Sequence, residues 1–247
     1  MTLAPKPYLR SIRLKDTAKL GSSEYPYDIP AVRNLDVLTF HPDVTFFVGE
    51  NGSGKSTVME AVATALGFSP EGGTRNFAVS TTDQTSTLSA NLRLSRGAHR
   101  PKDGYFFRAE SFFNVATYMD QVGYLDGYGG KSLHARSHGE AFTAVLTHKL
   151  RGHGLYLFDE PEAALSPSRQ LVALRAIHKL VLQESQLVIA THSPILLAYP
   201  RARIIQFDDE GLREIEYEES ENYAITRDFL GNHQRRLEQL LEDIEPE

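Results

Sequence analysis

The sequence predicts an α/β protein with a mainly parallel central sheet flanked by helices, an antiparallel β portion and a helical insertion. Three observations predict it. A glycine-rich loop, Gly49 to Thr57, sits between the apolar run Val44-Thr45-Phe46-Phe47-Val48 and a helical pattern from Ser56 to Leu66 that Gly67 can cap. Two later apolar runs end in polar residues: Leu155 to Phe158 in Asp159-Glu160, and Gln186 to Ala190 in Thr191-His192. A helical stretch from about Ser168 to Leu182 separates them. Continuous apolar runs of strand length between helices are the pattern of a sheet covered on both faces. If these strands are parallel, Gly49, Glu160 and His192 emerge together at their carboxyl ends, where ligands bind in open α/β sheets.

Taken in order, Leu9 to Lys15 and Val37 to Phe40 read as strands, with Tyr25-Pro26-Tyr27 as a loop between them. Residues 68–87 are rich in Ser, Thr and Gly and read as loop. Leu88, Ala90, Leu92 and Leu94 then alternate with polar residues as a half-buried strand does. A turn over Arg96 to Gly104 leads to Tyr105 to Glu110, which reads as its hairpin partner. Phe112, Phe113, Val115, Ala116 and Met119 begin the helical insertion, Gly123 to Lys131 is a glycine-rich loop, and Ala141, Phe142, Val145, Leu146 and Leu150 recur at helical spacing. The helical part covers about 111–150 within a single domain of 1–247. Near the C-terminus Phe229, Leu230, Leu237, Leu240 and Leu241 mark an amphipathic helix, expected to pack on its own domain, with a partner-binding role as the other reading.

The loop fits G-x-x-x-x-G-K-[ST] at every fixed position. Glycines 49, 52 and 54 allow a tight backbone whose N–H groups, over Asn51, Gly52, Ser53 and Gly54, face inward as an anion cradle. Lys55 reaches the β- and γ-phosphates, Ser56 offers its hydroxyl to Mg²⁺, and the helix start at Ser56-Thr57 adds its dipole. The expected ligand is a nucleoside triphosphate. Asp159 and Glu160, at a strand tip beside such a loop, suit metal holding and activation of the attacking water. A lone histidine is usually structural, but the position of His192 at a strand end suits contact with the ligand. Ser137 and Gly139-Glu140 open a helix, where Ser is a favoured cap. His134 and His138 are four apart, but the expectation is a loop entering a helix rather than a metal site, since no third ligand adjoins them.

With 247 residues and 41% hydrophobic content the chain can bury one sizeable core. No apolar run approaches the ~20 residues that a bilayer crossing needs, and the N-terminus lacks a signal-peptide core, so a cytoplasmic location is expected with no membrane insertion of its own. The absence of cysteine excludes disulfides, thiolate metal sites and cysteine nucleophiles. A net charge of −6 gives no global attraction to nucleic acid. Arg93, Arg96, His99, Arg100 and Lys102 form a local basic cluster, either a solvated turn or a nucleic-acid contact.

The phosphate loop, Ser137-His138-Gly139-Glu140, Phe158-Asp159-Glu160-Pro161-Glu162 and Thr191-His192-Ser193-Pro194 together resemble the ATP-binding-cassette (ABC) ATPases, a P-loop NTPase family, in that order along the chain. The resemblance implies ATP and Mg²⁺ as ligands, ATP hydrolysis, Walker A residues at Asn51 to Thr57, Ser56 and Asp159 on the metal, Glu160 as catalytic base, and His192 as the switch histidine at the γ-phosphate. It also implies that Ser137, Gly139 and Glu140 form a signature motif. In the family this motif binds ATP held by the opposite subunit, so an ATP-dependent head-to-tail homodimer is expected. Glu162 to Pro167 and the Thr-His-Ser-Pro run are similar to stand-alone RecF-like and OLD-like ATPases linked to DNA maintenance or defence, which implies a DNA or protein partner. A transporter's nucleotide-binding subunit and a slow nucleotide-gated clamp are the alternatives. The chain departs from the family in reading Arg136-Ser137-His138-Gly139-Glu140 where Leu-Ser-Gly-Gly-Gln is usual, and in having no glutamine after the expected strand. Glu110, Ser111 and Gln84 are candidates for that role, and Tyr25 and Tyr27 for stacking on adenine.

Overall fold

The computed structural model describes residues 4–15, 24–75, 87–121, 132, 134–135 and 137–242; Gln84 and the loop expected at Gly123 to Lys131 lie outside them. Three strands, β3 (Val44–Val48), β6 (Gly154–Asp159) and β7 (Gln186–Ala190), are buried at every position, as their continuous apolar character requires. With β5 (Asp103–Arg108), β8 (Ala202–Asp208) and β9 (Gly211–Ile215) they form a six-stranded sheet of order β5-β6-β7-β3-β8-β9. All its pairings are parallel except β8 with β9. The register sets Arg108 opposite Asp159, Asp159 opposite Ala190, and Ala190 opposite Phe47, so four strands end at one carboxyl edge.

A second, antiparallel sheet of order β2-β1-β4 consists of β1 (Leu9–Leu14), β2 (Leu38–Thr39) and β4 (Leu92–Arg96). Alternation along the central strands divides the interior in two. Phe47, Phe106, Leu157, Val188 and Phe207 face α2 (Lys55–Ala65) and the small sheet. Phe46, Phe107, Tyr156, Phe158 and Ile189 face α4 (Phe112–Gln121), α5 (His138–Ala144) and α6 (Pro167–Leu182). Phe142 of α5 lies tilted at 4.3 Å from Phe107 and meets Phe158 edge-on at 5.6 Å, which anchors the helical segment to the sheet. A π-helical turn, Val145–Lys149, continues α5.

The expected hairpin does not form. β4 pairs with β1, whereas β5 pairs with β6 in the other sheet. The reason is burial: Tyr105, Phe106 and Phe107 are all buried and need cover on both faces, while β4 alternates and has one face in solvent. Leu88 and Ala90 belong to a short helix, α3 (Thr87–Asn91), so the strand begins at Leu92. A period read over four residues cannot separate a helical turn from a strand. The helix α1 (Pro30–Arg33) and the β8–β9 hairpin have no counterpart in the sequence expectations. The hairpin turns where Asp208 Oδ1 accepts from the N–H of Glu210 and Gly211, and Gly211 has φ +124°.

After α7 (Pro194–Leu197), helix α8 (Glu221–Leu241) departs from expectation most clearly. None of its residues is buried, and Ile225, Leu230, Leu240 and Leu241 are exposed, so its apolar stripe does not pack on the domain. Its first turn is anchored to the core region by Asn222 Nδ2 donating to the carbonyl of His192 at 2.7 Å and by the Tyr223 ring, 4.5 Å from that of Tyr217.

The two sheets are joined by one buried amide. Gln186, fully buried on β7, accepts from the N–H of Tyr8 and Leu9, both at 2.9 Å, and donates to the carbonyls of Leu9 and His41. Replacing it strands backbone groups away from water, each at about 1–3 kcal/mol. Gln186→Leu is therefore expected to lower unfolding stability by about 3 kcal/mol or more, read as a fall in urea midpoint at unchanged slope.

Candidate functional site

The loop after β3 is shaped by its glycines: Gly49, Gly52 and Gly54 have φ of +141°, +83° and +100°. A Cβ on Gly49 would stand 2.2 Å from the Phe207 carbonyl oxygen, so both conformation and space demand glycine there. Asn51 and Gly52 are exposed at the loop tip, and α2 starts behind them at Lys55. Lys55 is buried, and its Nζ donates to the loop's own carbonyls of Gly49 at 2.8 Å and Glu50 at 2.7 Å. Burial pulls its pKa down, opposed by the carboxylates of Glu160, Asp159 and Glu162.

Asp159 ends β6 almost fully buried. Its Oδ1 accepts from Ser56 Oγ at 3.0 Å, joining the two candidate metal ligands. Burial raises its pKa to about 6 against the pull of Arg108 and the Ser56 hydrogen bond. Glu160 follows with φ 51° and ψ 52°, a left-handed backbone that is uncommon for a side chain bearing a Cβ and costs of order 1–2 kcal/mol. Its carboxylate lies 3.8 Å from His192 Nε2. Burial and Lys55 lower the pKa of His192, with Glu160 opposing, so the ring favours its neutral form. The His192 N–H donates to Glu162 Oε1 at 2.5 Å, which ties the end of β7 to the turn Pro161–Ala164.

Asn51, Ser56, Glu110, Asp159 and Glu160 line one cavity of about 510 Å³, and a second of about 530 Å³ runs from Gly49–Asn51 past His192 to Asn222 and Ile225 on α8. The structure thus brings together Asn51, Gly52, Ser53, Gly54, Lys55, Ser56, Thr57, Asp159, Glu160 and His192 at the carboxyl edge. Three buried polar atoms on its rim, Ser53 Oγ, His192 Nε2 and Arg108 Nε, make no hydrogen bond. The glycine-shaped loop, a lysine capping carbonyls and the Ser56–Asp159 oxygen pair fit a triphosphate and its Mg²⁺.

Ser137, Gly139 and Glu140 stand apart from the loop. Ser137 caps α5 in a capping box with Glu140, whose carboxylate also pairs with Arg169 at 3.4 Å. Ser137 and Gly139 line a neighbouring cavity of about 550 Å³ with Ala163, Ala164 and Arg169, and none of the hydrogen bonds or ion pairs of the three residues reaches residues 49–57. A Cβ on Gly139 would meet the Ala164 carbonyl oxygen at 2.6 Å, so glycine lets α5 approach the turn after β6. His134 Nε2 is 3.0 Å from Thr117 Oγ1. Among the other candidates, Glu110 lines the loop cavity, whereas Ser111 donates to the Glu71 carbonyl. Tyr25 is exposed, 3.4 Å from Thr57 Oγ1, while the Tyr27 hydroxyl is taken by Asn91. Sequence reasoning missed Arg108 and Asn222. For Arg108 a signal existed, a cation closing an apolar strand; for Asn222 there was none.

The fold and this edge define a P-loop protein of α/β class. The AAA domain family (AAA_23) matches residues 27–116, from the loop before α1 through the phosphate loop and β5 into α4. Among curated proteins, the macrolide export ATP-binding/permease protein MacB of two Campylobacter jejuni strains is similar to this chain. Strain 81-176 gives 22% identity over 83% of this chain and 35% of the relative; strain NCTC 11168 gives 23% over 79% and 33%. The chain spans about a third of the length of these relatives. Among solved structures, the SMC head domain from Thermotoga maritima aligns with a TM-score of 0.47 at 13% identity, covering 85% of this chain and all of that one. The CbiO1 structure from Clostridium perfringens, part of an ABC transporter complex, aligns at 0.45 and 17%, over 84% and 91%. The site geometry, the family match and the MacB similarity support an ABC-type P-loop ATPase.

The raised pKa of Asp159 has a stability consequence. Its folded value of about 6 lies above the unfolded value near 4, so the ionised carboxylate costs stability above pH 6, and that cost vanishes as pH falls below 4. Asp159→Asn is expected to stabilise the nucleotide-free protein at pH 7.5 by about 2 kcal/mol, with the difference lost near pH 4, as denaturant melts at both pH values would read.

Proposed function

We propose that this protein binds MgATP at the carboxyl edge and hydrolyses it to ADP and phosphate within an ATP-dependent head-to-tail homodimer. The observation that carries the reading is the convergence of Lys55, the Ser56–Asp159 pair, Glu160 and His192 around one loop. Lys55 exchanges its two loop carbonyls for phosphate oxygens. Ser56 and Asp159 would hold Mg²⁺, which when bound draws negative charge from the β- and γ-phosphates. Glu160, turned into the cavity by its left-handed backbone, orients the attacking water and accepts its proton. His192, neutral and fixed through Glu162, presents Nε2 toward the terminal phosphate.

Ser137, Gly139 and Glu140 serve the partner's nucleotide, in keeping with the absence of contacts to their own loop, with the place of Ser137 and Gly139 on a cavity and with the capping box that joins Glu140 to Ser137. The whole chain acts as one ATPase domain, with 111–150 as a helical subdomain, in a cytoplasmic setting. The process proposed is DNA maintenance or defence. It is supported by the resemblance of the Glu162–Pro167 run to RecF-like and OLD-like ATPases, and by Arg13 and Arg93, which face each other across β1 and β4, both exposed. Like charges opposed across a ladder are unfavourable unless an anion joins them. The similarity to MacB favours a second reading, the nucleotide-binding part of a transporter assembly; among the described residues no helix is long and apolar enough to cross a membrane, so that reading needs a membrane partner.

Glu160→Gln is expected to bind ATP and lose about 100-fold or more in turnover. It should dimerise with MgATP by light scattering, and adding Ser137→Arg should abolish the dimer; a monomer throughout refutes the composite site. ATP-dependent retention of duplex DNA that falls steeply with salt supports the DNA setting, whereas copurification with a membrane protein supports the transporter reading.

A further inference from the structure

Arg108 closes β5 directly opposite Asp159, and the reading above gives it no task. Its guanidinium meets three carboxylates, from α2, from β6 and from the turn after β5. Nη1 donates to Glu60 Oε2 of α2 at 2.7 Å, Nη2 lies 3.2 Å from Glu110 Oε2, and Nε lies 3.8 Å from Asp159 Oδ2. The contact with Asp159 is the loose one: Nε is buried and makes no hydrogen bond. Asp159 commits its other oxygen to Ser56, and Arg108 lines the same cavity as Ser56, Asp159 and Glu160. A fixed cation and the candidate metal ligand therefore share one carboxylate in the space a divalent ion would enter.

We propose that Arg108 is a positioning residue that competes with the divalent cation for Asp159, so that the nucleotide-free protein holds Mg²⁺ weakly and the metal enters with the nucleotide. The inference rests on the MgATP reading of the site. The charges facing Arg108 are Glu60, Glu110 and Asp159, with Lys55 and Glu160 around Asp159. With Arg108 in place, part of the negative potential that would attract a free divalent ion is already neutralised. Yielding Asp159 costs the guanidinium no hydrogen bond, because Glu60 keeps Nη1 and Glu110 keeps Nη2. MgATP brings a metal already neutralised in part by phosphates, and so meets less repulsion from Arg108 than a bare ion does.

The probe is Mn²⁺, titrated into nucleotide-free parent, Arg108→Gln and Arg108→Lys, with free Mn²⁺ read by electron paramagnetic resonance and folding checked by thermal melts. Arg108→Gln is expected to bind Mn²⁺ about tenfold tighter or more, while Arg108→Lys, which keeps the charge, stays near the parent. Equal Mn²⁺ affinity in folded Arg108→Gln and parent overturns the proposal, as does tightening by Arg108→Lys as large as that by Arg108→Gln. Should Arg108→Gln not fold, Glu60→Gln frees Arg108 from its strongest tether and is expected to weaken Mn²⁺ binding; unchanged or tighter binding overturns the proposal. ATP binding by the parent, measured separately, reports on the MgATP reading alone, so the two failures are distinguishable.

Discussion

Asp159 stands opposite Arg108 on one side and Ala190 on the other, and that parallel register brings β5, β6, β7 and β3 to a common carboxyl edge. The rest of the site depends on it. A shift of one residue in β6 would turn Asp159 to the opposite face and break its bond to Ser56. The register is held by side chains buried on both faces, Phe46, Phe107, Tyr156 and Phe158 on one and Phe47, Phe106 and Leu157 on the other. Core packing and ligand geometry are therefore one constraint.

The cost of this arrangement is concentrated where the chemistry is expected. Asp159 is an ionisable group almost without solvent, Glu160 is held in a left-handed backbone, and Ser53, Arg108 and His192 keep buried polar atoms without hydrogen bonds. Each is unfavourable taken alone, and such costs gather at functional sites. The small antiparallel sheet, tied through Gln186 to β7, and the helices packed on Phe107 and Phe142 supply compensating stability away from the edge.

Helix α8 extends the site's influence outward. Its first turn lines the cavity beside Gly49 and His192, and Asn222 grips the His192 backbone, while its apolar residues farther along lie exposed. One helix thus joins the loop after β7 to an uncovered apolar surface.

The phosphate loop, the acids after β6 and the histidine after β7 were legible in the sequence because each is a local pattern: glycine spacing, or an apolar strand ending in a charged group. The parallel order of the buried strands followed from their continuous apolar character. Other features were not local. β4 and β5 look like a hairpin, and only the need of Tyr105, Phe106 and Phe107 for cover on both faces sends them to different sheets. The apolar stripe of α8 reads alike whether it packs inward or stays open, since period reports one face and not what meets it. Arg108 gains its meaning from Glu60 and Asp159, which lie 48 and 51 residues away in sequence and come together only through the pairing of β5 with β6 and the packing of α2. Short-range chemistry is written in residue spacing, but the electrostatics of a shared carboxylate exist only once tertiary structure has set the distances.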